Sequence, residues 1–171
     1  MKQTKIRSFA VVSACMMGML SLSAQGVMQR TANYHPDGRG FSCVNGNNRY
    51  TRALYGSVDE WRLETSDRPI FAIFKKNNHR NIRFVIKCNG QAFQLDSVEY
   101  CKARYEAGKR EYLMKDKRWG SGVLKLSVLA YPQTEGAVWK FAAENFGKAK
   151  IEIVGMICET RVCKFKRAGD I

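Results

Sequence analysis

The sequence predicts an all-β protein, an antiparallel β-sandwich of roughly nine to eleven short strands preceded by a signal peptide. Three observations carry that expectation. From Phe41 onward, apolar and polar residues alternate instead of recurring with a helical period. Clusters of turn-forming residues interrupt the apolar runs at short intervals. Strands this short hide their apolar faces only by stacking two sheets or closing a barrel, and the sandwich is the better match.

The first 24 residues stand apart from this pattern. "MKQTKIR" is a short basic start, "SFAVVSACMMGMLSLSA" is apolar or small throughout, and small residues lead to Ala24. That is the layout of a secretory signal peptide cleaved near Ala24–Gln25. The apolar stretch of about 17 residues is interrupted by Ser8, Ser13, Gly18, Ser21 and Ser23, which makes it marginal as a membrane span. "VSAC" at 12–15 also has the form of a bacterial lipoprotein box, which would make Cys15 a lipid anchor and the membrane a partner. The expected location is therefore periplasmic or extracellular, or the outer membrane if Cys15 is lipidated. Residues 25–40 ("QGVMQRTANYHPDGRG") read as an irregular lead-in, and 41–171 as the sandwich domain.

Within that domain "WRLET" (61–65) sets Trp61, Leu63 and Thr65 opposite Arg62 and Glu64. "PIFAIF" (69–74) is a continuous apolar run, as expected of a central strand covered on both faces. "IRFVIK" (82–87) puts Ile82, Phe84 and Ile86 on one face. "VLKLSVLAY" (123–131) does the same with Leu124, Leu126, Val128 and Ala130, and "AVWKFA" (137–142) and "KIEIVGMI" (150–157) continue the theme. "DSVEYCKAR" (96–104) suits a short helix or a strand equally well. The turn signals include "SDRP" (66–69), "KNNHRN" (76–81), "NG" (89–90), "EAGK" (106–109), "WGSG" (119–122) and "FGK" (146–148).

The formal charge is +14, and loss of Lys2, Lys5 and Arg7 with the leader lowers it by three, to +11. A basic exported chain suits an anionic partner such as an acidic polysaccharide. Nucleic acid is not expected, because of export and because the cations are spread along strands. Removal of the leader leaves Cys43, Cys88, Cys101, Cys158 and Cys163, an odd number with no C-x-x-C spacing. The prediction is buried free thiols with at most one bridge.

Chemistry is harder to find. His35 and His79 both sit in polar, turn-like sequence, away from any nucleophile signature and without metal-ligand spacing, so both read as surface residues. No cofactor and no metal site is expected. Glu60, Glu64, Asp67, Asp96, Glu99 and Asp116 lie near turns or strand ends, but nothing singles out the paired carboxylates that glycoside hydrolysis uses. Most read as solvated charges. Trp61 and Trp139 read as core. Trp119, in "KDKRWGSG" beside Arg118, suits either a platform for stacking a sugar or a cover over the sandwich edge.

The stretch "VNGNNRYTRALYGS" (44–57) is the other candidate. "NGNN" supplies the positive-φ residues of a tight hairpin, and 49–55 reads as a strand with Tyr50, Arg52 and Leu54 on one face. A tyrosine beside the guanidinium forks of Arg49 and Arg52 suits recognition of carboxylates or hydroxyls. It equally suits a buried ion pair between domains. On this reading Tyr50 and Leu54 point inward, and Arg52 meets a carboxylate or lies at a rim. The candidate ligand-binding residues are thus Arg49, Tyr50, Arg52, Arg118 and Trp119, with no catalytic residue among them.

"FSCVNGNNRYTRALYG", "RLETSDRPIFAIF", "ARYEAGKREYLMKDKRWGSGVLKLSVLAYPQTEGAVWKF" and the terminal "KRAGDI" together carry a family likeness. They resemble an uncharacterised N-terminal β-rich domain, a domain of unknown function, of large secreted bacterial polysaccharide-degrading proteins of the six-hairpin-glycosidase type. The likeness covers most of 38–171. It implies a β-rich domain that precedes a larger helical catalytic region, and a chain truncated at its C-terminus, because the family pattern continues beyond Gly169–Asp170. It assigns no catalytic residue. The expected function is a non-catalytic sandwich module of an exported carbohydrate-processing protein, packing against a catalytic domain. The alternative is a free-standing exported binding protein that holds an anionic polysaccharide on basic strands around Arg49, Arg52, Lys117 and Arg118.

Overall fold

A computed structural model describes residues 33–47, 52–56, 61–75, 78–131 and 134–159. Twelve strands follow one another in this part: β1 (His35–Asp37), β2 (Gly40–Val44), β3 (Arg52–Gly56), β4 (Trp61–Thr65), β5 (Phe71–Lys75), β6 (Asn78–Cys88), β7 (Gln91–Gln94), β8 (Tyr100–Glu106), β9 (Lys109–Lys115), β10 (Val123–Ala130), β11 (Ala137–Glu144) and β12 (Ile151–Glu159). They form two antiparallel sheets. One has the order β1-β2-β8-β9-β10-β11, the other β12-β6-β5-β4-β3, with β7 also paired to β6. The fold class is therefore the expected all-β one, with one strand more than the upper expectation.

The extra strand is β1, in the lead-in expected to be irregular; His35–Asp37 pairs with Gly40–Ser42 across a tight turn. The turn signal "KNNHRN" is also shorter than the sequence suggests. Asn78, His79 and Arg80 already belong to β6, and Lys75 faces Asn78 in the ladder. "DSVEYCKAR" divides, with a short 3-10 turn at Leu95–Ser97 followed by β8. At "NG", Asn89 and Gly90 have φ of 50° and 78° between the paired residues Cys88 and Gln91. That is the two-residue turn whose twist matches a hairpin, and it needs left-handed residues at both positions.

"NGNN" departs most from expectation. It is not a hairpin, because β2 lies in one sheet and β3 in the other. Asn45 instead prolongs the ladder with β8: its N–H donates to the Cys101 carbonyl at 2.8 Å, and its Oδ1 accepts from the Cys101 N–H at 2.9 Å. A positive φ of 51° at Asn45 then turns the chain away. The same turn chemistry serves a crossover between sheets.

The alternation fixes which residues meet between the sheets. Leu63 on β4, Ile82, Phe84 and Ile86 on β6, Met114 on β9, and Leu124, Leu126 and Val128 on β10 are all buried. Leu54 is buried as well, on the inward face as expected. Phe71 is the hub. Its ring meets Phe84 of its own sheet at 6.0 Å, and Tyr112 and Trp139 of the opposite sheet at 5.8 Å each, all edge-on. Such edge-to-face pairs add about 0.5–1.5 kcal/mol each beyond the area they bury. β5 is covered on both sides at Phe71 and Ala72, which explains its continuous apolar run.

Candidate functional site

Arg49 and Tyr50 lie outside the described residues, as does the side chain of Arg52, whose backbone opens β3. The other two sequence candidates are placed. Trp119 ends a 3-10 turn between β9 and β10 and is only 5% exposed. Its ring lies 5.8 Å from Phe93 and 5.7 Å from Phe146, and its Nε1–H donates to the Gly122 carbonyl at 3.0 Å. Gly122 is tightly enclosed, since a Cβ there would meet the Phe146 ring at 2.8 Å. Trp119 is therefore the edge cover rather than an open stacking platform, because Phe93, Phe146 and the glycine close around it.

Arg118 belongs to the same corner. Its Nε and Nη2 donate to the two oxygens of Asp116 at 2.6 Å each, and its guanidinium carbon lies 3.4 Å from the centre of the Phe93 ring. Asp116 also accepts from the backbone N–H groups of Arg118 and Glu99, at 3.0 Å each. These bonds, the Arg118 side chain first, push the Asp116 carboxyl down to about 2. Lys117 is exposed and pairs with Glu99 at 2.6 Å. The corner is thus a clamp that holds the β9–β10 connection over the sheet edge.

A second polar cluster was not visible in the sequence. Arg110 and Asp67 are both 0% exposed, 3.5 Å apart. Arg110 Nη2 donates to the Ser66 carbonyl at 2.8 Å and to the Tyr34 hydroxyl, and that hydroxyl donates to Asp67. Tyr112 donates to the Ser66 carbonyl at 2.7 Å. The Arg110 guanidinium carbon lies 5.4 Å and 5.5 Å from the ring centres of Tyr34 and Tyr112, within cation–π range, while its buried Nε and Nη1 have no hydrogen-bond partner among the described residues. Burial raises the Tyr112 phenol, and the neighbouring Cys101 thiol is pushed up to about 12, also by burial. Cys43 shifts the same way for the same reason. These are inert groups. Asp67 and Asp116 are thus not solvated charges: Asp67 belongs to a fully buried pair with Arg110, and buried Asp116 pairs with a partly exposed Arg118. Among the described residues no three His, Cys, Asp or Glu side chains come together to hold a metal ion.

The side of the sandwich at β11 and β12 is different. Each is an edge strand of its sheet, and only residues 145–150 join them, so the two edges flank the same side. Register assigns their inward rows. Trp139, Phe141 and Ala143 lie opposite Val128, Leu126 and Leu124; Ile151, Ile153, Gly155 and Ile157 lie opposite Cys88, Ile86, Phe84 and Ile82. Every one of those partners on β10 and β6 is buried. None of the β11 and β12 residues is. Ile157 faces the core and is still 71% exposed, and Val154 on the outward face is 41% exposed. The apolar interior therefore opens sideways along two edge strands, with Phe141 and Trp139 at the mouth, packed on Phe84 at 5.0 and 6.5 Å.

Among the described residues two depressions stand out. One lies on the outward face of the first sheet, about 230 Å³, with Lys102, Arg104, Glu111, Leu113, Lys125 and Ser127 in its lining. Its cations are paired: Lys102 with Asp37, Arg104 with Glu106 and Glu111, and Lys125 with Glu144. The other, about 480 Å³, lies where the Asn89–Gly90 turn meets the β11–β12 connection. Lys87, Lys148 and Lys150 line it with a single acid, Glu152.

Two antiparallel sheets stacked on a shared apolar core define an all-β sandwich whose lateral side at β11 and β12 is only partly covered. The particular family follows from comparison: residues 78–171, more than half of the chain, match the model described as Domain of unknown function (DUF4450), and the chain belongs to that family. The matched stretch opens at the first residue of β6 and so contains both edges of the open side. Neither curated proteins nor solved structures give a match. Among the described residues no helix is long and apolar enough to cross a membrane.

Proposed function

We propose that this chain is a non-catalytic β-sandwich module of an exported carbohydrate-processing protein, and that its β11–β12 side packs against a catalytic domain. One observation carries the reading. A row on the core-facing side of two edge strands, from Trp139 to Ile157, stays half-buried to exposed while its register partners one strand further in are buried. An apolar row of this kind along the edge strands of two sheets favours a packing partner. Both arginine–aspartate pairs, Arg110–Asp67 and Arg118–Asp116, are explained by the fold, which favours architecture over catalysis in this chain.

The test is to sequence the DNA beyond the codon for Ile171 and to produce both the chain and any longer product. Hydrogen exchange is then compared strand by strand. The reading expects a continuation of several hundred residues and slower exchange in β11 and β12 of the longer protein. No continuation, or unchanged exchange in those two strands, would overturn it. The second reading is a free-standing protein for an anionic polysaccharide. It draws on the charge of +14, and it predicts glycan binding by the chain alone.

A further inference from the structure

The geometry points to an oxyanion-binding cleft at the end of the sandwich, formed by Lys87, Lys148 and Lys150, that takes the carboxylate or sulfate groups of a polyanionic saccharide chain. The inference is independent of where a catalytic domain docks.

The cleft is concave and its walls come from two elements. Lys87 stands on the outward face near the end of β6. Lys148 and Lys150 stand on the connection before β12, just after Gly147, whose φ of 59° turns the chain there. The floor consists of small groups: buried Cys88, Ala92, Ala149 and Gly90. Nothing lies within 4 Å of where a Gly90 Cβ would stand. No aromatic ring lines the cleft, so it offers no face on which a sugar ring could stack. What it offers is charge.

That charge is unbalanced. Glu152 lies 3.3 Å from Lys150 and 3.7 Å from Lys87, one carboxylate between two ammonium groups. Lys148 has no acidic partner among the described residues. Three cations against one anion leave a local excess of two in a cleft of about 480 Å³. The 230 Å³ depression on the other sheet also holds three cations, but acids neutralise each of them. The contrast separates an ion-pair lattice from a cation site. Three ammonium groups that rotate independently suit tetrahedral or planar oxyanions without selecting a fixed fork geometry. Because the lysines are largely exposed, one group binds weakly and salt screens it. A polymer that presents such groups repeatedly gains from effective concentration.

The experiment uses residues 25–171 with polygalacturonate and dextran sulfate as probes, and neutral dextran as control, at fixed ionic strength. Binding is read by calorimetry or affinity electrophoresis. Lys148→Ala/Lys150→Ala is expected to weaken binding roughly tenfold, since two screened ion pairs are lost. Lys102→Ala/Lys125→Ala removes the same formal charge and is expected to change it by less than about twofold. Glu152→Gln should strengthen binding. Equal losses in the two double variants would mean that only net charge matters, and would overturn the cleft. So would equal competition by duplex DNA, or absence of binding to both polyanions. None of these results bears on hydrogen exchange in β11 and β12, so the cleft and the packing surface fail separately.

Discussion

β10 and β11 lie side by side in one sheet with nearly the same alternation, yet their inward rows have opposite fates. Leu124, Leu126 and Val128 are fully buried; their partners Ala143, Phe141 and Trp139 are half-buried or exposed. β6 and β12 repeat the contrast in the other sheet, most sharply where buried Ile82 faces Ile157 at 71% exposure. The difference teaches what alternation encodes. Period two decides which face of a strand is apolar. It does not decide whether another layer lies over that face. β10 and β6 have a strand on either side, whereas β11 and β12 have a strand on one side only.

The largest effect is expected on the closed side. Arg110→Leu leaves Asp67 buried without its cation, and breaking a buried pair costs about 3–5 kcal/mol. Chemical denaturation should show that loss. A change under about 1 kcal/mol would mean that the Tyr34–Asp67 and Tyr112–Ser66 hydrogen bonds, rather than the ion pair, hold this cluster.

Next comes a matched pair across one ladder. Leu126 and Phe141 are register partners on β10 and β11. Leu126→Ala should cost about 2–5 kcal/mol, as a fully buried leucine does. Phe141→Ala removes more atoms, but the site already opens to water and leaves little cavity. We expect about 1 kcal/mol in the isolated chain. If the phenylalanine costs as much as the leucine, the side is closed in solution and the contrast fails.

A smaller effect is set by pH. The Asp116 carboxyl is held at about 2, against an ordinary 3.8, first by the Arg118 side chain. A depressed carboxyl stabilises the fold above its ordinary value, and that contribution is lost as pH falls from about 4 towards about 2. The difference in unfolding free energy between wild type and Asp116→Asn should therefore be flat from pH 5 to 7 and shrink by roughly 2 kcal/mol by pH 2. A difference that stays constant with pH would show that the clamp acts through shape rather than charge.

The sequence made the fold legible wherever one residue type decides the outcome. Asn89–Gly90 could only be a tight turn, and Ile82, Phe84 and Ile86 could only face one way. Partners distant in the chain were not legible. Asp67 and Arg110 are 43 residues apart, and each sits among ordinary surface charges in sequence. Only the stacking of the two sheets, which sets Arg110 and Tyr112 of β9 against the Ser66–Asp67 turn after β4, brings them together. "NGNN" failed for a related reason, since a left-handed asparagine turns the chain without specifying which strand comes next. Trp119 was legible as an alternative but not as an answer, because Phe93 and Phe146, which enclose it, come from β7 and from the β11–β12 connection.

The smallest expected effect on stability is the one that most sharpens the comparison. Ile157 faces the core by register and stands in water by exposure. Replacing it with lysine in the isolated chain should change stability by no more than about 0.5 kcal/mol, as at an ordinary surface position. The mirror substitution, Ile82→Lys, puts a charge on its buried register partner and should cost several kcal/mol or prevent folding. Two isoleucines facing each other across one ladder would then differ only in whether a layer lies beyond them. In a longer protein whose next domain covers this side, Ile157→Lys should become costly too, because the ammonium would be buried without a counter-charge. Denaturation of both variants in both lengths reads out four values. If Ile157→Lys is mild in the isolated chain and severe in the longer one, β12 is an internal strand whose outer neighbour is the partner. If it is mild in both, the edge is free.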